Sequence, residues 1–262
     1  MARWDDSGTW IGEDLRREAL FFPSRGVELY GSVYAPTSPS APLGVVFCNS
    51  WGFEGNQAGA LVHETSISVA VAGGVAVNFH YPGIGDSYGD LEGATMDVLA
   101  DAVVDAMREA SRRHPDTRWI LAGLMLGASV ASLAMDRGAQ AERLLLVQPA
   151  LRPRRYFARL ERASRRPFGG LSPVEGFAFG YPLSQTMLDS VEDADAAVDA
   201  ALSRFNGGGT IVRYEKPAEV EGEPEWFERV CAPGTWRFGT RENPALAHAT
   251  GDWLRQRMAA AR

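Results

Sequence analysis

Residues 119–132 have the sequence WILAGLMLGASVAS, and this stretch decides the fold. It begins with an apolar run, as in a strand whose two faces are both covered. Gly123 and Gly127 follow directly, and a run of small residues at helical spacing comes after them. Because no linker separates the two runs, the stretch predicts a strand, a sharp turn at Met125 and a helix. The N-terminus of such a helix stabilises negative charge beside the turn.

The segments around this turn alternate between apolar runs and helical patterns. The apolar runs predict buried parallel strands at residues 43–48, 75–79, 118–124 and 143–149. The segments between the first three runs predict helices at about residues 58–72 and 91–113. This order is typical of a doubly wound sheet, in which right-handed crossovers place the turn at the carboxyl edge of a central strand.

The alternation stops after Ala150. We therefore predict a core of residues 1–150 and 207–262, with residues 151–206 inserted as a cap after the sixth strand. The later core is predicted to contain a strand at 209–217, a helix near 224–230, a last strand near 235–238 and a helix from Pro244. The cap begins with an arginine-rich segment, residues 152–166, which suits either a solvated helix face or an anion-docking surface.

Composition excludes several classes of function. The net charge of −7 argues against a nucleic-acid-binding protein, and no motif for a metal or nucleotide cofactor occurs, so we expect no cofactor. Two cysteines imply no disulfide framework. Neither a signal peptide nor an apolar run of membrane-spanning length is present, so a cytoplasmic protein is expected. Only Lys216 among 26 basic residues is lysine, which indicates GC-rich coding and a bacterial source.

Four motifs resemble those of the α/β-hydrolase superfamily: VVFCNSWGFEGN at 45–56, NFHYPGIGDSYGD at 78–90, GLMLGA at 123–128 and FGYPLS at 179–184. They are similar to exosortase A system-associated hydrolases, one group of which has G-L-R-L-G-A at the turn. The resemblance implies the α/β-hydrolase fold, a mostly parallel central sheet with helices on both faces. It also places Met125 where G-x-S-x-G proteins have their nucleophilic serine.

A second member of the Ser-His-Asp triad is missing from the expected place. The resemblance implies a histidine after the last strand, but residues 239–243 contain none. His248 lies roughly 200° around the last helix from the apolar Leu246, so it is expected to face solvent. The acidic member of the triad could still be present, because the segment where it is expected contains four glutamates, Glu215, Glu219, Glu221 and Glu223. We therefore predict a chain without the triad.

The resemblance also identifies candidate site residues. The backbone N–H of Leu126 and those of the loop at residues 49–51 would form an oxyanion hole. The candidate catalytic positions are Met125, which is not a nucleophile, and Leu126, Asn49 and Ser50. Ser50 could in principle act as a nucleophile, but it has no evident base. The candidate substrate-binding residues are Trp51, Phe53, His80, Phe179 and Tyr181, although a histidine at the end of a strand, such as His80, more often has a structural role.

Three functions fit these patterns. The main hypothesis is a non-hydrolytic enzyme that eliminates, cyclises or isomerises an acyl or polyketide-like substrate in an apolar pocket at the turn. The second is an inactive pseudo-hydrolase that binds an acyl ligand or a carrier protein. The third is an esterase or thioesterase with an unrecognised nucleophile such as Ser50. The expected partner is a small or carrier-tethered acyl molecule, and the oligomeric state is left open, a homodimer included.

Overall fold

The computed structural model describes residues 3–4, 10–12, 14–37, 42–167, 172–214, 222–234 and 244–261. Its strands are β1 (Arg3–Trp4), β2 (Trp10–Ile11), β3 (Leu15–Ser24), β4 (Val27–Pro36), β5 (Leu43–Cys48), β6 (Val75–Phe79), β7 (Arg118–Leu124), β8 (Arg143–Val147), β9 (Phe177–Ala178), β10 (Tyr181–Pro182), β11 (Gly208–Tyr214) and β12 (Glu228–Ala232). Its helices are α1 (Gly52–Val71), α2 (Met96–Arg113), α3 (Leu126–Asp136), α4 (Pro153–Ser164), α5 (Gln185–Ser190), α6 (Ala194–Arg204) and α7 (Pro244–Ala260).

Ten strands form one sheet in the order β1-β2-β3-β4-β6-β5-β7-β8-β11-β12. The six strands from β6 to β12 in that order are parallel to one another, while β3 and β4 form an antiparallel hairpin on the β6 side. Helices cover both faces, which is the predicted fold class. Of the helices in the described ranges, none is long and apolar enough to cross a membrane.

The two faces of the sheet bury two separate apolar clusters. Along β5, Val46 and Cys48 belong to the cluster that includes residues of α2 and α3, while Val45 and Phe47 belong to the cluster that includes residues of α1 and α7. All six residues of β5 are buried, which explains why its sequence is a continuous apolar run rather than an alternating one. The strand is therefore fixed between the two helical layers.

The carboxyl ends of the central strands meet at one edge. Cys48 of β5 is paired with Gly123 of β7, and Leu124 of β7 is paired with Val147 of β8. The residues that follow these strands therefore emerge side by side, and the Met125 turn lies at this edge as predicted. Between β8 and β11 the chain forms α4, the β9-β10 hairpin, α5 and α6, where the cap was expected.

The sequence prediction was wrong for one segment after β11. A helix was expected near residues 224–230, but residues 228–232 form the edge strand β12, parallel to β11 with Val230 opposite Val212. Residues 224–227 close a turn, in which Phe227 N–H donates to Pro224 C=O. Parallel pairing with a buried strand outweighed the helical pattern here. The strand predicted at 235–238 lies outside the described residues.

The close packing of α3 against the end of β5 gives a stability prediction. A Cβ on Gly127 would lie 2.1 Å from the Cys48 carbonyl oxygen and 2.6 Å from that of Asn49, so Gly127→Ala should destabilise the protein by about 2–3 kcal/mol through overpacking. Gly59 in α1 is the control, because a Cβ there meets nothing within 4 Å. Gly59→Ala should stabilise by roughly 0.5–1 kcal/mol. Thermal unfolding measures both, and equal effects would contradict the packing argument.

Candidate functional site at the Met125 turn

The Met125 turn has a strained backbone. Met125 has φ 50° and ψ −116°, and the helix α3 begins at the next residue. Its N–H donates to Val147 C=O at 3.0 Å, and its own C=O accepts from the N–H groups of Ala128 and Ala150, each at 3.0 Å. A positive φ in a residue other than glycine costs about 1–3 kcal/mol, so the surrounding hydrogen bonds must hold the turn in place.

A second strained residue adjoins this turn. Among the described residues other than glycine, four have a positive φ: Arg25, Met125, Gln148 and Phe179. Arg25 belongs to the β3-β4 hairpin turn, whereas Gln148 directly follows Val147, the residue that binds Met125 N–H. Phe179 lies between β9 and β10 and packs on Phe53 with 5.4 Å between ring centroids. Backbone strain of this kind is concentrated at functional sites.

The start of α3 lies against the loop that follows β5. Gly127 packs directly on the carbonyl groups of Cys48 and Asn49. The N–H groups of Leu126 and Gly127 open the helix, so neither has an acceptor within it. The Asn49 side chain is used structurally, because its Nδ2 donates to Asn78 Oδ1 at 2.8 Å and to Phe79 C=O at 3.2 Å. Asn49 thus holds the end of β5 to the end of β6.

A buried polar cluster adjoins this loop, and sequence reasoning found only one of its members. Ser50 Oγ lies 3.3 Å from the hydroxyl of Tyr156 in α4, and both side chains are buried. Glu54, in the first turn of α1, is only 3% exposed. Its Oε1 lies 3.4 Å from Nη2 of Arg159, whose guanidinium also lies over the Tyr156 ring. The cluster thus joins the loop after β5, α1 and α4.

Burial dominates the protonation of this cluster. It raises the pKa of Glu54, and the opposing effects of the Arg159 charge and the nearby Tyr156 hydroxyl are smaller. Burial also raises the pKa of Tyr156 well above its usual range, with the Glu54 carboxyl adding to the shift. Tyr156 is therefore neutral and is a hydrogen-bond donor and acceptor rather than a base. Protonation of Glu54 is favoured over that of an exposed glutamate.

Four buried polar atoms at this edge have no hydrogen-bond partner among the described residues. They are Asn49 Oδ1, Trp51 Nε1, Glu54 Oε2 and Tyr81 Oη. Buried polar groups in native proteins are almost always satisfied, so a local concentration of exceptions indicates a site where something else supplies the partner. All four residues follow β5 or β6, at the same edge as the Met125 turn.

The candidate aromatic residues pack together under and beside α4. Trp51 lies 5.6 Å from Phe157 and 6.0 Å from Tyr181, measured between ring centroids. The Tyr181 hydroxyl accepts a hydrogen bond from Asn56 Nδ2 in α1. The structure thus brings Trp51 and Tyr181 into contact, and Phe53, in the first turn of α1, pairs with Phe179 of the hairpin.

His80 lies in the turn after β6 and makes local contacts. Its Nδ1 accepts a hydrogen bond from Asp86 N–H at 3.3 Å, and its ring centroid is 5.5 Å from that of Tyr30. Burial lowers the pKa of His80, which keeps the ring neutral as this acceptor role requires. Its C=O accepts from Ser87 Oγ at 2.8 Å, so the whole turn is internally bonded.

The structure describes some of the other candidates for catalytic residues. His248 is exposed and pairs with Asp252 at 3.0 Å on the outer side of α7, which confirms that it faces solvent. Glu223 is engaged by Arg213 and Arg229, each at 3.3 Å. Burial raises the pKa of Cys48, which disfavours its thiolate. Glu215, Glu219, Glu221 and the segment 239–243 lie outside the described residues.

Comparison with known proteins supports the fold. No family model and no curated protein matches the sequence, but solved structures do match. Est1E from Butyrivibrio proteoclasticus, solved with ferulic acid, has a TM-score of 0.65 at 17% identity, over 92% of this chain and 98% of that chain. An α/β serine hydrolase homologue from Coxiella burnetii has a TM-score of 0.58 at 14% identity, over 93% and 96%.

A serine hydrolase without a lid from Xanthomonas campestris has a TM-score of 0.55 at 16% identity, over 96% of this chain and 94% of that chain. All these identities are low, so the similarity concerns architecture. The matches agree with the mostly parallel sheet between two helical layers. The chain therefore has the α/β-hydrolase fold.

The burial of Glu54 gives a pH-dependent prediction. Because its pKa is raised in the folded state, the folded protein retains a proton that the unfolded chain releases as the pH rises. The stability of the wild-type protein should therefore fall, relative to that of Glu54→Gln, as the pH rises from about 5, just above the usual pKa of a glutamate, into the neutral range. Melting temperatures of both proteins across this range measure the effect. Glu161→Gln, on the outer side of α4, controls for the loss of one surface charge. A difference in melting temperature between the wild-type protein and Glu54→Gln that does not change with pH would contradict the prediction.

Proposed function

We propose that this chain is a non-hydrolytic enzyme that eliminates, cyclises or isomerises an acyl or polyketide-like substrate at the Met125 turn. The observation that carries the proposal is the strained turn itself, with φ 50° at a methionine. A thioether has no proton to lose and does not form an ordinary acyl-enzyme, yet the strained backbone geometry that a nucleophile has at this position of a G-x-S-x-G turn is present. A turn of this kind without a nucleophile suits a site that binds and polarises a carbonyl group.

In this proposal the turn stabilises negative charge on the substrate. The N–H groups at the start of α3, Leu126 first, and those of residues 49–51 would donate to a carbonyl or enolate oxygen. The acyl chain would lie in a pocket lined by aromatic side chains, those of Trp51, Phe53, Phe179 and Tyr181. His80 would be a further lining residue. The sequence resemblance to the exosortase A system-associated hydrolases, one group of which also lacks serine at the turn, supports the same interpretation.

The proposed division of labour has residues 1–150 and 207–262 as the core and residues 151–206 as the cap. The position of α4 supports this division, because Tyr156 and Phe157 cover Ser50 and Trp51. Proton transfer then falls to a residue of the cap side or to the substrate itself. The cluster of Ser50, Glu54 and Tyr156 supplies polar chemistry there, which favours an enzyme over a purely apolar binding site.

A direct test uses the β-hydroxydecanoyl thioester of pantetheine in deuterated buffer. Elimination would remove a proton from C2 and the hydroxyl from C3 as water, leaving a C2–C3 double bond. Reversible proton transfer would place deuterium at C2. Mass spectrometry should detect one or both products above the rate without protein, and no free pantetheine thiol. Thiol release in place of these products would identify a thioesterase. The absence of both the elimination product and the deuterated thioester would overturn the proposal.

A binding protein is the second candidate, and the burial of Met125 favours it. Met125 is only 4% exposed and belongs to an apolar cluster with Leu124, Val147 and Tyr214. Such a turn could hold an acyl chain without transforming it. This candidate would be supported if the protein bound the decanoyl thioester of pantetheine but caused neither deuterium uptake by the β-hydroxydecanoyl thioester nor loss of water from it.

Restoring the serine should not restore hydrolysis. We expect Met125→Ser to leave the rate of p-nitrophenyl acetate hydrolysis within about twofold of the wild-type protein, because no histidine follows in residues 239–243 to activate the hydroxyl. Met125→Ala is the matched control for the loss of the side chain. A Met125→Ser rate at least about a hundredfold above that of Met125→Ala would show that a base is present.

A further inference from the structure

We infer that Trp51, Glu54 and Tyr156 form a polar subsite that recognises a neutral oxygen, a ketone or a hydroxyl, on the acyl chain. This inference rests on the proposed acyl site but adds the class of substrate that the site prefers. It explains why a polar cluster is buried beside a turn whose other lining is apolar.

The three side chains lie under the same helix. Tyr156 contacts Ser50 and Glu54, and its neighbour Phe157 packs on Trp51 with ring centroids 5.6 Å apart. Trp51 is the N-cap residue of α1 and Glu54 lies in the first turn of that helix. One end of α1 therefore presents both residues to the inner face of α4.

Each of the two α1 residues has a buried polar atom without a partner in the described part of the chain. Trp51 is 1% exposed and its Nε1 is unsatisfied, while Glu54 is 3% exposed and its Oε2 is unsatisfied. Arg159 reaches only Oε1, at 3.4 Å, from a side chain that is 67% exposed. Leaving a buried polar group unsatisfied is unfavourable, so two of them at one end of the same helix indicate a ligand that pairs with them.

The chemistry of these atoms selects the ligand group. An indole N–H can only donate a hydrogen bond, whereas a carboxyl group accepts one and, when protonated, also donates one. The complement of the Trp51 donor is an acceptor oxygen, which a ketone or a hydroxyl supplies and a saturated acyl chain lacks. A site built to hydrogen-bond an oxygen rejects the analogue without it, because its own polar groups then remain unpaired.

The test compares two unreactive probes by isothermal titration calorimetry. The probes are the N-butyl amide of decanoic acid and its β-keto analogue, which contain no thioester to cleave and no hydroxyl to eliminate. The wild-type protein should bind the β-keto probe about tenfold more tightly than the saturated probe. Equal affinities for the two probes would overturn this inference while leaving the acyl site intact. If the protein bound neither probe, both the polar subsite and the proposed acyl site would be overturned.

Three variants assign the preference to the subsite. Glu54→Met should reduce it to about twofold or less, whereas Glu54→Gln, which keeps a donor, should retain most of it. Tyr156→Phe is an independent variant that should reduce it by about threefold. Phe53→Leu is the control for the acyl chain and should weaken both probes by the same factor. An unchanged preference in either folded Glu54→Met or folded Tyr156→Phe would contradict the assignment.

Discussion

The site depends on the close approach of α3 to the end of β5. Gly127 allows this approach, since a side chain there would overlap the Cys48 and Asn49 carbonyl groups. The same approach places the helix N-terminus beside the loop after β5, and the backbone hydrogen bonds of Met125 to Val147 and Ala150 fix the turn between them. The strained φ of Met125 is thus a consequence of β7 ending and α3 beginning on either side of this one residue. Everything proposed for the site rests on this arrangement.

The second constraint is the burial of a carboxyl group under α4. Glu54 is held away from water, and Arg159, its ion-pair partner among the described residues, is itself largely exposed and 3.4 Å away. Burial of this kind is unfavourable unless the group is paired, satisfied or protonated. A structural role alone would be served better by an apolar residue at the same place. The position of Glu54 beside Ser50 and Tyr156 is the physical argument that links the cap side of the fold to chemistry at the turn.

The fold could be predicted from the sequence because its strands are continuous apolar runs, and residues 119–132 identify the turn by two glycines alone. Tyr156 was not recognised because it stands within the arginine-rich segment, although Tyr156, Phe157 and Leu160 form the buried side of that helix. Glu54 was not recognised because a glutamate in a first helical turn is ordinarily solvated. Its burial depends on α4, which lies about a hundred residues away in the chain. Non-local packing of this kind is invisible to a local pattern, as the strand β12 also shows.

The central claim is that the turn holds an acyl group without bonding to it. Mass spectrometry of the protein incubated with decanoyl pantetheine measures this directly, under native and then under denaturing conditions. The account predicts a complex of protein and intact thioester under native conditions and the unmodified protein mass after denaturation. A decanoyl adduct that survives denaturation would show a covalent acyl-enzyme and contradict the account.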